Sequence, residues 1–196
     1  MEAAIRWCPH STLDSARFMI VDVASNSLTL CRIENCEPNA FSYKKISVRE
    51  KLPNFTAFDW SKTKDGLVAI GQSSGEVGLL RISSDKFQSS TIHSLPIRHQ
   101  RKCNTISFNT QNLLATGLES VRNDFSINIY NVGSDHWKTD AEPYRKLSSS
   151  EAITSVKFFV DQPDTLVAGV ARQCIRLYDL RGKPRDTFYV NLKKLV

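Results

Sequence analysis

The sequence predicts an all-β fold made of repeated sheet units, the architecture of a β-propeller. One observation is an aromatic residue that recurs about every 50 residues, close to the ~40–50-residue repeats of propeller blades. A second is that short β-rich runs, bounded by Gly, Asn, Asp or Ser, fill each repeat. A third is that no long stretch has helical periodicity. The recurring aromatic residues are Trp7, Trp60, Phe108 and Phe158.

Four copies of the unit follow one another along the chain. The first copy is the faintest, and the other three align with little adjustment. Each contains an aromatic-ended strand, an apolar strand and a third alternating strand. Blade units of this kind bury their apolar faces against each other, so the copies are expected to stack. The units lie near residues 5–33, 57–82, 105–131 and 155–181.

A glycine follows the apolar strand at the same place in three units: Gly71, Gly117 and Gly169. A glycine in a strand marks a bend or the close approach of a neighbouring chain segment. A simple turn role is also compatible with these positions. Their matched recurrence favours a role in the repeat itself.

Two segments interrupt the repeats and are predicted to be long surface loops, 34–49 and 133–150. The second is polar and contains a proline, and loops of that length are often functional. It carries Trp137, either an anchor for a partner protein or an aromatic ring folded back on the rim.

The ends of the third strands resemble those of WD-repeat proteins. Tyr178 and Asp179 stand where such repeats carry a Trp-Asp pair. The resemblance implies a buried hydrogen-bonded network in which a His before the unit, a Ser or Thr on one strand and an Asp in a turn join that Trp. Only the third unit offers candidates for the network: His99, Thr116, Asp124 and Tyr130, the tyrosine replacing the tryptophan. The simpler interpretation makes His99 a loop histidine beside Arg98.

Longer stretches resemble the WD-repeat region of the Mio (missing oocyte) family. The most specific parts are the Cys-Asn-Thr start within 98–109, the Ala-Thr-Gly-Leu turn within 114–119 and the Asp-Phe-Ser strand within 123–130. Residues 167–181 and 7–10 show the same similarity. The resemblance implies a WD-repeat propeller that joins the other protein subunits of a GATOR/SEA complex. Such complexes relay amino-acid sufficiency to the TOR kinase, so a cytoplasmic location at the periphery of the vacuolar or lysosomal membrane is expected.

Members of that family continue well beyond four repeat units, through further blades, a helical solenoid and zinc modules rich in cysteine and histidine. The present chain is therefore expected to be an incomplete propeller, with about four blade units of a larger ring. Its two terminal blade faces are expected to expose apolar surface larger than monomers usually tolerate.

Sequence motifs of enzymes are missing. The sequence has no G-x-S-x-G, P-loop, H-E-x-x-H or Rossmann glycine motif, and its four histidines are not at metal-ligand spacing. The five cysteines form no C-x-x-C pair, so neither a zinc site nor a thioredoxin-like pair is indicated, and the lack of a secretory signal pattern favours reduced thiols in the cytosol. A non-catalytic scaffold without cofactor or metal is therefore predicted.

The formal net charge of +6 leaves a second binding function open. Basic residues lie in separate predicted loops and lack interleaved aromatic residues, so solvated loops are favoured and no nucleic-acid partner is expected. Contact of these basic residues with an acidic partner protein is an intermediate alternative. A phosphoinositide- or anionic-surface-binding propeller of membrane trafficking or autophagy is the alternative. Its paired-arginine motif Phe-Arg-Arg-Gly is missing here. No apolar segment is long enough to span a membrane.

Overall fold

A computed structural model describes residues 4–12, 16–37, 40–133, 142–147, 151–171, 174–182 and 187–191. All regular secondary structure in these ranges is β-strand, sixteen strands in total. The predicted fold class is confirmed.

The strands form four antiparallel sheets, each made of four strands that are consecutive in the chain. Sheet 1 contains β1 (Ala4–Trp7), β2 (Arg17–Asp22), β3 (Ser27–Glu37) and β4 (Ala40–Arg49). Sheet 2 contains β5 (Phe55–Trp60), β6 (Leu67–Gln72), β7 (Val77–Ser83) and β8 (Lys86–Leu95). Sheet 3 contains β9 (Cys103–Phe108), β10 (Leu113–Leu118), β11 (Ile127–Asn131) and β12 (Arg145–Leu147). Sheet 4 contains β13 (Ile153–Phe158), β14 (Thr165–Val170), β15 (Cys174–Asp179) and β16 (Thr187–Asn191).

The recurring aromatic residues hold one position in all four sheets. Each ends the first strand and pairs with the second residue of the second strand; the pairs are Trp7–Phe18, Trp60–Val68, Phe108–Leu114 and Phe158–Leu166. The repeat seen in the sequence is therefore a repeat of strand register.

The prediction of a loop over residues 34–49 was wrong. This segment contains the end of β3 and all of β4, which pair with each other over their length. Two register shifts, after Leu30 and after Ile33, interrupt the alternation of apolar and polar residues that would reveal the strands. In the second predicted loop, residues 145–147 form β12, the outermost strand of sheet 3.

The sheets stack face to face in chain order, with one apolar cluster between each neighbouring pair. We call the face of a sheet that turns toward the preceding sheet its upstream face, and the opposite one its downstream face. On sheet 2 the upstream face carries Trp60 and Ile70, and the downstream face carries Leu67 and Leu79. Successive side chains alternate between these faces, because a strand has a period of two residues.

The predicted close approach at glycine is confirmed at Gly71 and Gly117. A Cβ on Gly71 would lie 2.6 Å from the Cys103 Sγ of sheet 3, and one on Gly117 would lie 2.6 Å from the Ile153 Cγ2 of sheet 4. The first strand of the following sheet therefore packs directly on these glycines.

Candidate functional site

A buried ionic cluster joins sheet 3 to the segment that precedes it. Asp124 lies in the turn between β10 and β11, just after Asn123, whose φ is 61°. One oxygen of its carboxylate, Oδ2, accepts hydrogen bonds from His99 Nδ1 at 3.0 Å and Arg101 Nη2 at 2.8 Å. The same Nη2 donates to the backbone oxygen of Phe125 at 2.6 Å. The pairing of His99 with Asp124 that the WD resemblance implies is present.

Arg101 is the member of the cluster that sequence reasoning missed. Its side chain is only 3% exposed, against 43% for His99. Its backbone N–H also donates to the Ser74 oxygen in the β6–β7 turn, so the cluster ties sheet 2 to sheet 3. Among the described residues, its Nε and Nη1 have no hydrogen-bond partner.

Burial and charge oppose each other in this cluster. Burial alone would raise the pKa of Asp124, but the hydrogen bonds from His99 and the Phe125 N–H, together with the charge of Arg101, lower it below its usual value. Burial lowers the pKa of Arg101, and the nearby carboxylate only partly offsets that. Each of the two charged side chains, Asp124 and Arg101, therefore stabilises the charged form of the other against the cost of burial.

Thr116 and Tyr130 are buried nearby but are not hydrogen-bonded to His99 or Asp124 in the described part of the chain. The Thr116 hydroxyl donates to the Asn128 backbone oxygen at 3.3 Å, and the Tyr130 hydroxyl donates to the Pro96 oxygen at 3.1 Å. Burial raises the pKa of Tyr130 to about 12. The implied network is thus divided into separate bonds, with the ionic part centred on Arg101.

Tyr178 and Asp179, the Tyr-Asp pair of the fourth unit, also make separate contacts rather than one network. Tyr178 is buried, with its hydroxyl unpartnered among the described residues. Asp179 accepts from Arg181 Nη2 at 2.8 Å and Nε at 3.0 Å, and these bonds lower the pKa of Asp179 to about 2. Trp137 lies outside the described residues.

A cavity of about 380 Å³ opens beside the ionic cluster. Two cationic and two anionic side chains line it together with prolines, an isoleucine and an amide. Lys146 Nζ lies 3.2 Å from Glu142 Oε2 across one part of its wall. Opposite charges and small apolar surfaces together suit a polar peptide segment. The lining residues are Pro96, Ile97, Arg98, Asp124, Asn128, Glu142, Pro143 and Lys146.

A second surface, the upstream face of sheet 1, is apolar and open. Trp7 and Ile5 are each 58% exposed on this face, and Tyr43 is 44% exposed. Phe18 joins Trp7 and Tyr43 through edge-to-face ring contacts, with centroids 5.4 and 5.5 Å apart. Large apolar side chains are therefore exposed on this face of sheet 1.

Candidate metal centres and membrane-spanning helices are both absent from the described residues. In those ranges no group of three or more His, Cys, Asp and Glu side chains is placed to hold a metal ion. No helix there is long and apolar enough to cross a membrane.

Comparison with known proteins agrees with the predicted resemblance. The GATOR2 complex protein MIOS-A of Xenopus laevis is 27% identical over 229 residues, which cover 96% of this chain and 25% of that protein. The GATOR2 complex protein MIOS of Danio rerio is 28% identical, covering 97% of this chain and 25% of that protein. The Drosophila melanogaster GATOR2 complex protein Mio is 29% identical over 59% of this chain and 13% of its own length. The chain thus spans about a quarter of the length of the two vertebrate relatives.

Among solved structures, the crystal structure of Chaetomium thermophilum Raptor superposes with a TM-score of 0.72. It covers 96% of this chain and 17% of the Raptor chain at 14% identity, a likeness that shows the fold. Residues 38–193 match the sequence family described as MIOS, WD40 repeat. The resemblance to the Mio family is confirmed, and the chain belongs to the MIOS WD40 repeat family.

Proposed function

We propose that this chain is a non-catalytic protein-interaction scaffold within a GATOR2-type complex that regulates TOR complex signalling in response to amino acids. The observation that carries the proposal is the match of residues 38–193 to the MIOS WD40 repeat family. Relatives that align over almost the whole chain are named GATOR2 complex proteins. Its partners are then the other protein subunits of that complex.

The geometry supports binding by a rigid frame. Four stacked sheets present their connecting segments at the edges, an arrangement in which loops carry recognition. The mixed-charge cavity beside Asp124 lies at such an edge, and Arg98 and Lys146 there are accessible to an acidic segment of a partner. A scaffold of this kind uses no cofactor and no nucleic acid. It reaches the vacuolar or lysosomal membrane through its partners and otherwise remains cytoplasmic.

Affinity purification of the tagged full chain from its own cells tests the proposal. We expect WD-repeat subunits of a GATOR2-type complex to be recovered, and the double variant Arg98→Glu/Lys146→Glu to recover at most a tenth as much. The control is Lys44→Glu, an equal change per site at an exposed position on β4. Recovery of no such subunits by the unmodified chain would contradict the proposal.

Liposome flotation separates the scaffold from a direct reader of anionic lipid. A scaffold that reaches membranes through partners stays unbound when purified. Flotation with phosphoinositide vesicles that is lost at high salt would overturn the proposal, because such binding is electrostatic.

A further inference from the structure

The turn between the second and third strands is much longer in sheet 3 than in sheets 1 and 2. In those two sheets it spans residues 23–26 and 73–76, whereas in sheet 3 it spans residues 119–126. We call residues 119–126 the long turn. Because four residues are enough to join the same two strands elsewhere, the added residues are not needed to close the sheet. Added loop length on a rigid frame is a common place for recognition.

The long turn is fixed by hydrogen bonds at its base and in its middle. At the base the Leu118 N–H donates to the Ser126 oxygen at 2.9 Å. In the middle the Asp124 N–H donates to the Val121 oxygen at 3.3 Å. The turn therefore has a defined conformation before any partner binds.

Phe125 is held in this turn by both of its backbone groups. Its N–H donates to Asp124 Oδ1 at 2.8 Å, and its oxygen accepts from Arg101 Nη2 at 2.6 Å. The residue itself is 45% exposed. The buried ion pair thus fixes the backbone of an aromatic residue that solvent reaches. An aromatic side chain held in this way loses little conformational freedom on binding, and such residues are enriched at interfaces.

Two carboxylates near Phe125 already have cationic partners. Asp124 is paired with the buried Arg101 at 2.8 Å. Glu142, on the wall of the neighbouring cavity, is paired with Lys146 at 3.2 Å. These groups leave no excess negative charge around the cavity.

Two exposed arginines supply an excess of positive charge. Arg98 lines the cavity, and Arg122 lies in the long turn. Neither forms an ion pair within the part of the chain that the structure describes. Glu119, at the base of the turn, lies beside Lys102, since its N–H donates to the Lys102 oxygen at 2.9 Å. An exposed ring and uncompensated positive charge therefore lie on one surface.

We propose that the long turn and the adjoining cavity form one docking site for an acidic protein segment. Phe125 is its apolar anchor, and Arg98 and Arg122 bind carboxylates of the segment. Arg101 and Asp124 are positioning residues, because they hold Phe125 by its backbone. Turn and cavity are continuous through Asp124, which lines the cavity and accepts from the Phe125 N–H. The segment that fits carries a hydrophobic side chain close to Asp or Glu residues.

The acceptors in the cavity favour a protein segment over a phosphate-bearing ligand. Asp124 and Glu142 line the wall together with Asn128, whose amide is buried. The two carboxylates oppose the approach of a phosphate group. The backbone of a protein segment instead offers N–H donors to the carboxylates and carbonyl acceptors to the amide.

A photo-crosslinking amino acid in the full chain tests the site directly. Phe125→benzoylphenylalanine keeps an aromatic ring at the anchor, and we expect irradiation in cells to join it to one protein segment. Mass spectrometry should find Asp or Glu residues beside the crosslinked position. The matched control is Phe159→benzoylphenylalanine, also 45% exposed but between β13 and β14, and it should not reach that segment. No crosslink, a crosslink to lipid, or one to a segment without carboxylates overturns the proposal.

Serine variants measure how much the anchor contributes. The inference rests on the proposed function in taking the segment to belong to a subunit of a GATOR2-type complex. Phe125→Ser should recover at most a tenth as much of those subunits as the unmodified chain in affinity purification. It should unfold at the same urea midpoint, because the ring is exposed. Phe159→Ser should recover as much as the unmodified chain.

The positioning role has its own variant. Replacing both Arg101 and Asp124 by leucine removes the two buried charges together, and with them both bonds to the Phe125 backbone. Recovery of the subunits should fall at least threefold, although this variant unfolds at a higher urea concentration than Asp124→Ala. A pair that serves stability alone would regain recovery together with stability, and that result would contradict the positioning role.

Failure of this inference differs from failure of the proposed function. If Phe125→Ser and the unmodified chain recover the subunits equally, the docking site is wrong and the proposed function stands. If position 125 crosslinks to an acidic segment of a protein outside such a complex, the docking site is supported and the proposed function is contradicted.

Discussion

Replacing Asp124 by alanine tests whether the buried ionic cluster stabilises the fold. The change leaves the guanidinium of Arg101, 3% exposed, without its only carboxylate among the described residues. Two further nitrogens of that guanidinium, Nε and Nη1, already lack partners in the described part of the chain. The variant therefore retains a largely buried charge without its counter-ion.

The expected loss follows from breaking one buried ion pair. Removing one partner of such a pair costs about 3–5 kcal/mol of the free energy of unfolding. For a domain with about 5–15 kcal/mol in total, that is a large share. With a urea m-value of about 2–3 kcal/mol/M, the unfolding midpoint should fall by roughly 1–2.5 M. Urea unfolding followed by tryptophan fluorescence, at one fixed protein concentration, measures this shift.

Two companion variants distinguish burial from simple charge loss. Replacing both Arg101 and Asp124 by leucine removes the two charges together and should recover at least half of the loss. His99→Ala should cost less than about 1 kcal/mol, because its side chain is 43% exposed and solvent screens its contact. An Asp124→Ala loss below about 1 kcal/mol, or a double variant no better than the single one, refutes the reasoning.

Four further results are expected. Because the pKa of Asp124 is lowered in the folded chain, its stabilisation is complete above the ordinary value near 3.8 and is lost as the pH falls through the folded value; unfolding titrations of Asp124→Asn from pH 5 to 2 should show a smaller loss than those of the unmodified chain. Gly117→Ala should cost about 1–3 kcal/mol in urea unfolding, because its new methyl group would collide with the first strand of sheet 4. Trp60→Ala should cost about 3–5 kcal/mol and Trp7→Ala under about 1 kcal/mol in the monomer, a matched pair at one register position. The thiol of Cys103 is fully buried with its pKa raised to about 12, so mass-spectrometric mapping at pH 8 should find it unmodified by iodoacetamide until the chain unfolds. Modification of Cys103 in the folded chain, or equal losses for the two tryptophan variants, would contradict these expectations.

The sequence predicts the features that repeat and misses those that occur once. Trp60 and Phe108 mark the ends of first strands because the same packing demand recurs in every sheet. The segment 34–49 resembles a loop in sequence because two bulges move its apolar residues from one face to the other.

Arg101 was missed for a different reason. A basic residue within a run of basic residues resembles a solvated loop, and only the fold shows that its side chain is enclosed beside Asp124. The WD pattern, in turn, predicts the His99–Asp124 contact but not the separation of Thr116 from it. That separation depends on which carbonyl oxygen lies within reach of the Thr116 hydroxyl, and the spacing of residues in the sequence does not determine this.

Building each sheet from four consecutive strands has a consequence for synthesis on the ribosome. No sheet waits for a strand from a distant part of the chain, so each one can close as soon as its own residues have emerged. Its downstream face is then ready before the first strand of the next sheet is made. Repeat proteins with such neighbour-only contacts fold by nucleation and propagation. The order of translation therefore coincides with the direction in which the stack grows.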